Sequence, residues 1–140
     1  MHDEAAFACE IRSAGAARRW VRGVIEAWAL PAADEVGPLL VSEVVSNAVR
    51  HANSDVRLIV DLRDDRRLVV EAWDRGPGRP VLRRPARWDE SGRGLQLLDT
   101  LSTRWGWTFA RGAKCVWFEL ATDGVGSGGG PDYQARATTG

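Results

Sequence analysis

Between Val41 and Leu62 the spacing of the apolar residues changes once, from a helical period to a strand period, and this change restricts the fold more than any other feature. Val41, Val44, Val45, Ala48, Val49 and Ala52 fall on one side of a helix turning about 100° per residue. Ser42, Glu43, Ser46, Asn47, Arg50 and His51 fall on the other. Asn53-Ser54 breaks the helix, after which Val56, Leu58, Val60 and Leu62 alternate as one face of a strand. Asp64-Asp65 marks a turn. A second strand runs from about Arg67 to Trp73, with Leu68, Val70 and Ala72 on one face. Strands that pair as hairpins, without strict helix-strand alternation, predict α+β rather than a parallel sheet.

The flanking segments complete a two-layer α/β sandwich, a mixed and mostly antiparallel sheet with helices on one face. AFACEI, residues 6–11, reads as a short first strand. Ser13 can then cap a helix whose apolar positions are Ala17, Trp20, Val21, Val24 and Trp28, and Leu30-Pro31 ends it. A second helix starts in the Ala32 to Pro38 region, where Pro38 suits a first turn. Leu95, Leu98 and Leu101 predict a third helix over about Gly92 to Ser102. Two strands follow, Arg104 to Ala110 and Lys114 to Ala121, joined at Arg111-Gly112-Ala113. Seven tryptophans among 44% apolar residues suffice for one core, so residues 1–121 read as a single domain. Residues 122–140, TDGVGSGGGPDYQARATTG, read as a disordered Gly-rich tail.

Nineteen basic and nineteen acidic residues cancel, and the arginines are scattered, which argues against nucleic acid as a direct partner. No apolar run reaches the roughly 18 to 20 residues of a membrane span, and MHDEAAFACE lacks the basic-then-apolar pattern of a secretion signal. A cytoplasmic protein away from membranes is the expectation. Cys9 and Cys115 lack metal-site or redox spacing and read as buried free thiols.

Three stretches carry groups that can do chemistry. Glu43, Asn47 and His51 recur at four-residue steps, although asparagine is a poor helix former in mid-helix. An ordinary solvent-facing helix side accounts for them. So does a hard cation, because a carboxylate and a carboxamide one turn apart present oxygens in one direction. In DRGPG, residues 74–78, strand alternation puts Asp74 on the inward face, where an unpaired carboxylate is costly and needs a donor. The exocyclic amine of a purine is such a donor, and Gly76 and Gly78 leave room for a flat base against the backbone. In SGRGL, residues 91–95, Gly92 and Gly94 open a helix whose free amides and dipole suit phosphates. The whole run RGPGRPVLRRPARWDESGRG, rich in glycine, proline and arginine and without helix or strand period, reads as a long loop that contains Arg84 and Arg87.

Taken in this order, SEVVSNAVRHA (residues 42–52) resembles the N box of the GHKL ATPases, DRGPG their first glycine box and SGRGL their second. With WFEL near the end, the resemblance spans roughly residues 5 to 121. Small size, a short lid and an N box written E-x-x-x-N-x-x-x-H are most similar to the stand-alone anti-sigma factor serine kinases of actinobacteria. The resemblance implies a Bergerat fold that binds ATP with Mg2+. It implies Glu43 as the catalytic carboxylate, Asn47 as the magnesium ligand and Asp74 as the adenine-amine acceptor. Gly76, Gly78, Gly92, Gly94 and Leu95 would shape the pocket, while His51 either touches a phosphate or caps its helix. Arg93, Arg84 or Arg87 would reach the γ-phosphate. The implied partners are a sigma factor and an anti-anti-sigma protein phosphorylated on serine, and a homodimer is compatible with the pattern. The alternative is a nucleotide-sensing module that sequesters a regulator without phosphorylating anything.

Overall fold

The computed structural model describes residues 1–76, 90–123 and 137–139, with the backbone alone for 90–95 and 137–139. Strand β1 (His2–Phe7) pairs antiparallel with β2 (Val56–Leu62), and β2 pairs antiparallel with β3 (Arg67–Asp74). Next to β3 lies β5 (Ala113–Ala121), and β4 (Arg104–Ala110) lies beyond β5, both pairings antiparallel. A short β6 (Ala137–Thr139) runs parallel to β4 at the far edge, giving the order β1-β2-β3-β5-β4-β6. Three helices, α1 (Ser13–Ala27), α2 (Val36–Asn47) and α3 (Glu90–Leu101), form the second layer. The chain is the expected α+β sandwich with a mixed, mostly antiparallel sheet.

Because successive strand residues point to opposite faces, the register separates core from surface. Val56, Leu58 and Val60 of β2, Leu68, Val70 and Ala72 of β3, and Phe118 and Leu120 of β5 are buried under the helices. Val21, Val24 and Ile25 of α1, Leu40, Val41, Val44 and Val45 of α2, and Leu98 of α3 complete that core. The two central helices approach closely: a Cβ on Gly37 would lie 2.8 Å from Ile25 Cδ1. Glu4, Arg57, Glu71, Trp73, Trp117 and Glu119 point to the opposite face, where Glu4 pairs with Arg57 and Glu119 pairs with Arg63 and Arg67. Among the described residues, no helix is long and apolar enough to cross a membrane.

Several local expectations shift. The first strand is HDEAAF, not residues 6–11, since His2, Glu4 and Ala6 pair with Asp61, Ile59 and Arg57 and the chain turns after Phe7. Ser13 is the first residue inside α1 and not its cap, and its hydroxyl donates to the Ala8 carbonyl at 2.6 Å. Ser42 is buried rather than on the wet side, donating to the Leu39 carbonyl at 2.8 Å. Cys9 is only half-buried and outside any strand, whereas Cys115 is buried in β5. Thr122 belongs to the domain: its backbone N–H and hydroxyl both donate to the Arg66 carbonyl, at 3.2 and 2.6 Å. Strand β6 falls within the stretch read as a tail, and residues 124–136 and 140 lie outside the described residues.

Helix α1 ends where the chain needs a sharp turn toward Pro31. Leu30 N–H donates to the Ile25 carbonyl at 3.0 Å and Ala29 N–H to the Glu26 carbonyl at 3.1 Å, the paired bonds of a Schellman end. Ala29 adopts φ +55° there, a left-handed conformation that costs a residue with a Cβ about 1 kcal/mol. Ala29→Gly relieves it, so thermal unfolding of that variant is expected to show a gain of about 0.5–1 kcal/mol. A loss of stability would show that the Ala29 methyl contributes more than the conformation costs.

Candidate functional site

Helix α2 carries the first polar cluster. It ends as a regular helix at Asn47, and Ala48–Ala52 continue as a single π-turn that closes on Asn53 at φ +53°, a conformation asparagine tolerates. The apolar stripe holds through this change, with Val41, Val44, Val45, Ala48 and Ala52 buried. Glu43 and Asn47, one regular turn apart, are half-buried, and neither makes a side-chain hydrogen bond to another described residue. His51 is exposed. The π-turn bonds each residue to the fifth along, so a further four-residue step does not repeat the alignment that joins Glu43 to Asn47.

The second cluster stands where β3 ends. Asp74 faces inward and is buried, as alternation from Leu68, Val70 and Ala72 requires, opposite Val56 on one side and Lys114 on the other. Its Oδ1 accepts the Gly76 N–H at 2.9 Å and lies 3.7 Å from Lys114 Nζ. Burial pushes the Asp74 carboxyl above the ordinary carboxylate range, against the opposing pull of the Gly76 amide and the Lys114 ammonium. The donor that a carboxylate here demands is therefore supplied in part by the protein itself. Lys114 was not among the residues singled out from the sequence. The signal was present, because Lys114 alternates with Val116, Phe118 and Leu120 just as Asp74 does with Ala72 and Val70.

The two clusters are held together. A Cβ on Gly76 would lie 2.2 Å from Ala52 Cβ and 2.5 Å from both its Cα and carbonyl oxygen, so the chain leaving β3 lies directly against the end of the π-turn. Nearby, Arg75 N–H donates to Ser54 Oγ at 2.9 Å. Helix α2 packs on β3 and on α3, so Glu43, Asn47 and Asp74 sit on adjoining elements. Gly92, Arg93, Gly94 and Leu95 lie in the first half of α3, which begins at Glu90, two residues before the expected start. Gly78, Arg84 and Arg87 lie outside the described residues.

No group of three or more His, Cys, Asp or Glu able to hold a metal occurs among the described residues. A cation at this site would therefore need oxygens from a bound ligand and water to supplement Asn47 and Glu43. Magnesium, which keeps waters and commonly binds through one or two protein oxygens plus phosphates, fits such a donor set.

Two predictions follow from this geometry. Gly76→Ala forces the Ala52 backbone aside and is expected to destabilise the protein by about 3 kcal/mol in denaturant unfolding. Ala52→Gly should not rescue it, because the Cα and carbonyl contacts persist. The second concerns pH. With its pKa raised by folding, Asp74 binds its proton more readily in the folded chain, so its contribution to stability is fully present in acid and lost as pH rises through the folded pKa. The melting temperature of wild type relative to Asp74→Asn should fall over that rise, and a difference independent of pH would contradict the assignment.

Comparison with known proteins gives one family. The model of the histidine kinase-like ATPase domain matches residues 7–120. No sequence relative is found among curated proteins. Of solved structures, the RsbU and RsbW domains of Rv1364c from Mycobacterium tuberculosis share the fold at TM-score 0.67 and 16% identity, over 86% of this chain and 32% of that one. The histidine kinase domain of the blue-light activated histidine kinase from Erythrobacter litoralis EL346 matches at TM-score 0.49 and 29% identity, over 62% of this chain and 43% of that one. The chain thus spans less than half the length of either.

Proposed function

Because the chain belongs to the histidine kinase-like ATPase domain family, we propose that it binds ATP with magnesium and transfers the γ-phosphoryl group to a serine of a partner protein, as a regulatory kinase of the anti-sigma type. The observation that carries this reading is Asp74, a buried carboxylate at a strand end whose Oδ2 receives no hydrogen bond from any described residue. An acceptor in that position suits an adenine amine. Beside it, α2 offers the carboxylate and carboxamide of Glu43 and Asn47, half-buried and without described hydrogen-bond partners.

In this reading Asn47 would hold a magnesium ion, and the ion would supply positive charge against the phosphates. Glu43 accepts the proton of the attacking serine hydroxyl as the serine oxygen bonds to the γ-phosphorus and the bond to the β-phosphate oxygen breaks. Phosphoserine and ADP are the products. The first-turn amides of α3, at Gly92 and its neighbours, receive phosphate oxygens. The family resemblance would give Arg93, Arg84 or Arg87 contact with the γ-phosphate, and Leu95, Gly76 and Gly78 a place bounding the pocket. His51, exposed in the π-turn, either meets a phosphate or caps the helix end. The partners are a cytoplasmic sigma factor and its anti-anti-sigma protein. The N-box spelling supports this identity, and the similarity to a structure containing an RsbW domain supports the fold it requires.

Incubation with γ-labelled ATP and candidate antagonist proteins tests the proposal. Glu43→Ala should lower label transfer to serine by about 10²-fold or more while ATP still binds. Asp74→Asn should weaken ATP binding at least about tenfold by calorimetry. Undiminished transfer in Glu43→Ala would remove that carboxylate from the reaction. Nucleotide-dependent partner binding with no transfer by wild type would favour the sequestering module over the kinase.

A further inference from the structure

Lys114 has a role that the proposed ATP site leaves unassigned. Its side chain is 6% exposed, as buried as the 5% exposed side chain of Asp74, and its described polar contact is the 3.7 Å approach to Asp74 Oδ1. That distance makes an ion pair but is too long for a hydrogen bond. An ammonium has three donors and no acceptor. Among the described residues none accepts a hydrogen bond from Lys114 Nζ and none donates one to Asp74 Oδ2, and neither atom is fully sealed from solvent, so a ligand can reach both.

The sheet fixes how these two deficits lie relative to each other. Asp74 and Lys114 are direct cross-strand partners on the inward face of β3 and β5, one pair beyond Ala72 and Val116. Directly opposed side chains in an antiparallel pair start with Cβ atoms about 5 Å apart, so acceptor and donor stand next to each other at the same depth. The matching ligand edge has a donor adjacent to an acceptor. The 6-amino group and ring N1 of adenine form such an edge, whereas guanine presents an acceptor at C6 and a donor at N1, the reverse order.

Resting on the ATP-binding reading, we propose that Lys114 is a specificity-determining residue that donates to N1 of the adenine ring while Asp74 accepts from the 6-amino group. Two residues then read the base, and Lys114 also acts as counter-ion to Asp74 before the nucleotide arrives. The buried ion pair is retained on binding, and each member gains the hydrogen bond it lacks in the free protein.

Binding of ATP and of 1-deaza-ATP, which replaces N1 by C–H, to the full chain and to Lys114→Met tests this. A hydrogen bond from a charged donor is worth roughly a tenfold or greater preference, so wild type should bind ATP at least about tenfold more tightly than the analogue. In Lys114→Met the ratio should collapse to about one, whatever the absolute affinities. Equal affinity of wild type for the two nucleotides, with ATP binding intact, would overturn the N1 contact and leave Lys114 as a counter-ion alone. Failure of wild type to bind ATP at all would overturn the ATP reading and this inference with it. The wild-type comparison stands even if Lys114→Met does not fold.

Discussion

Removing the Asp74 carboxylate from water is unfavourable, and the arrangement of this domain around the end of β3 follows from how that cost is offset. One oxygen takes the Gly76 amide and lies beside the Lys114 ammonium, yet burial still outweighs both in its effect on the carboxyl. A charge offset only in part by its own protein is a common signature of a site completed by something else. The apolar neighbours Val56 and Ala72, both buried in the core, explain why the effect of burial dominates.

Division of labour between elements makes such a site affordable. The inward stripe of α2 is wholly committed to the core, and its other side presents Glu43 and Asn47 at the rim. The same helix therefore anchors the layer and carries the chemistry. The π-turn at Ala48–Ala52 lets both demands be met, because it keeps Ala48 and Ala52 buried while turning the chain toward β2.

How much of this could be read from residues alone depended on whether local pattern or distant pairing decided each feature. The stripe from Val41 to Ala52 and the alternation of β2 and β3 are local, and so was the inward position of Asp74. The pairing of β3 with β5 brings together residues forty apart, across α3 and β4, so the meeting of Asp74 with Lys114 was beyond local reading. Strand β1 was misread for a related reason. AFACEI is richer in apolar residues, but HDEAAF is held by its cross-strand partners, including Glu4 with Arg57 and His2 with Asp61. The wider turn beyond Asn47 was invisible because a π-turn leaves the apolar stripe intact. It is what separates exposed His51 from half-buried Asn47, although the three polar residues look equivalent in the sequence.

The approach of Gly76 to Ala52 leaves no slack between the strand carrying Asp74 and the helix carrying Glu43 and Asn47. Neither can slide along the other without backbone colliding with backbone, so acid, amide and buried carboxylate behave as one rigid wall. Any movement during a working cycle therefore falls to elements other than these two. Distance probes on α2 and β3 would then report a constant separation throughout that cycle.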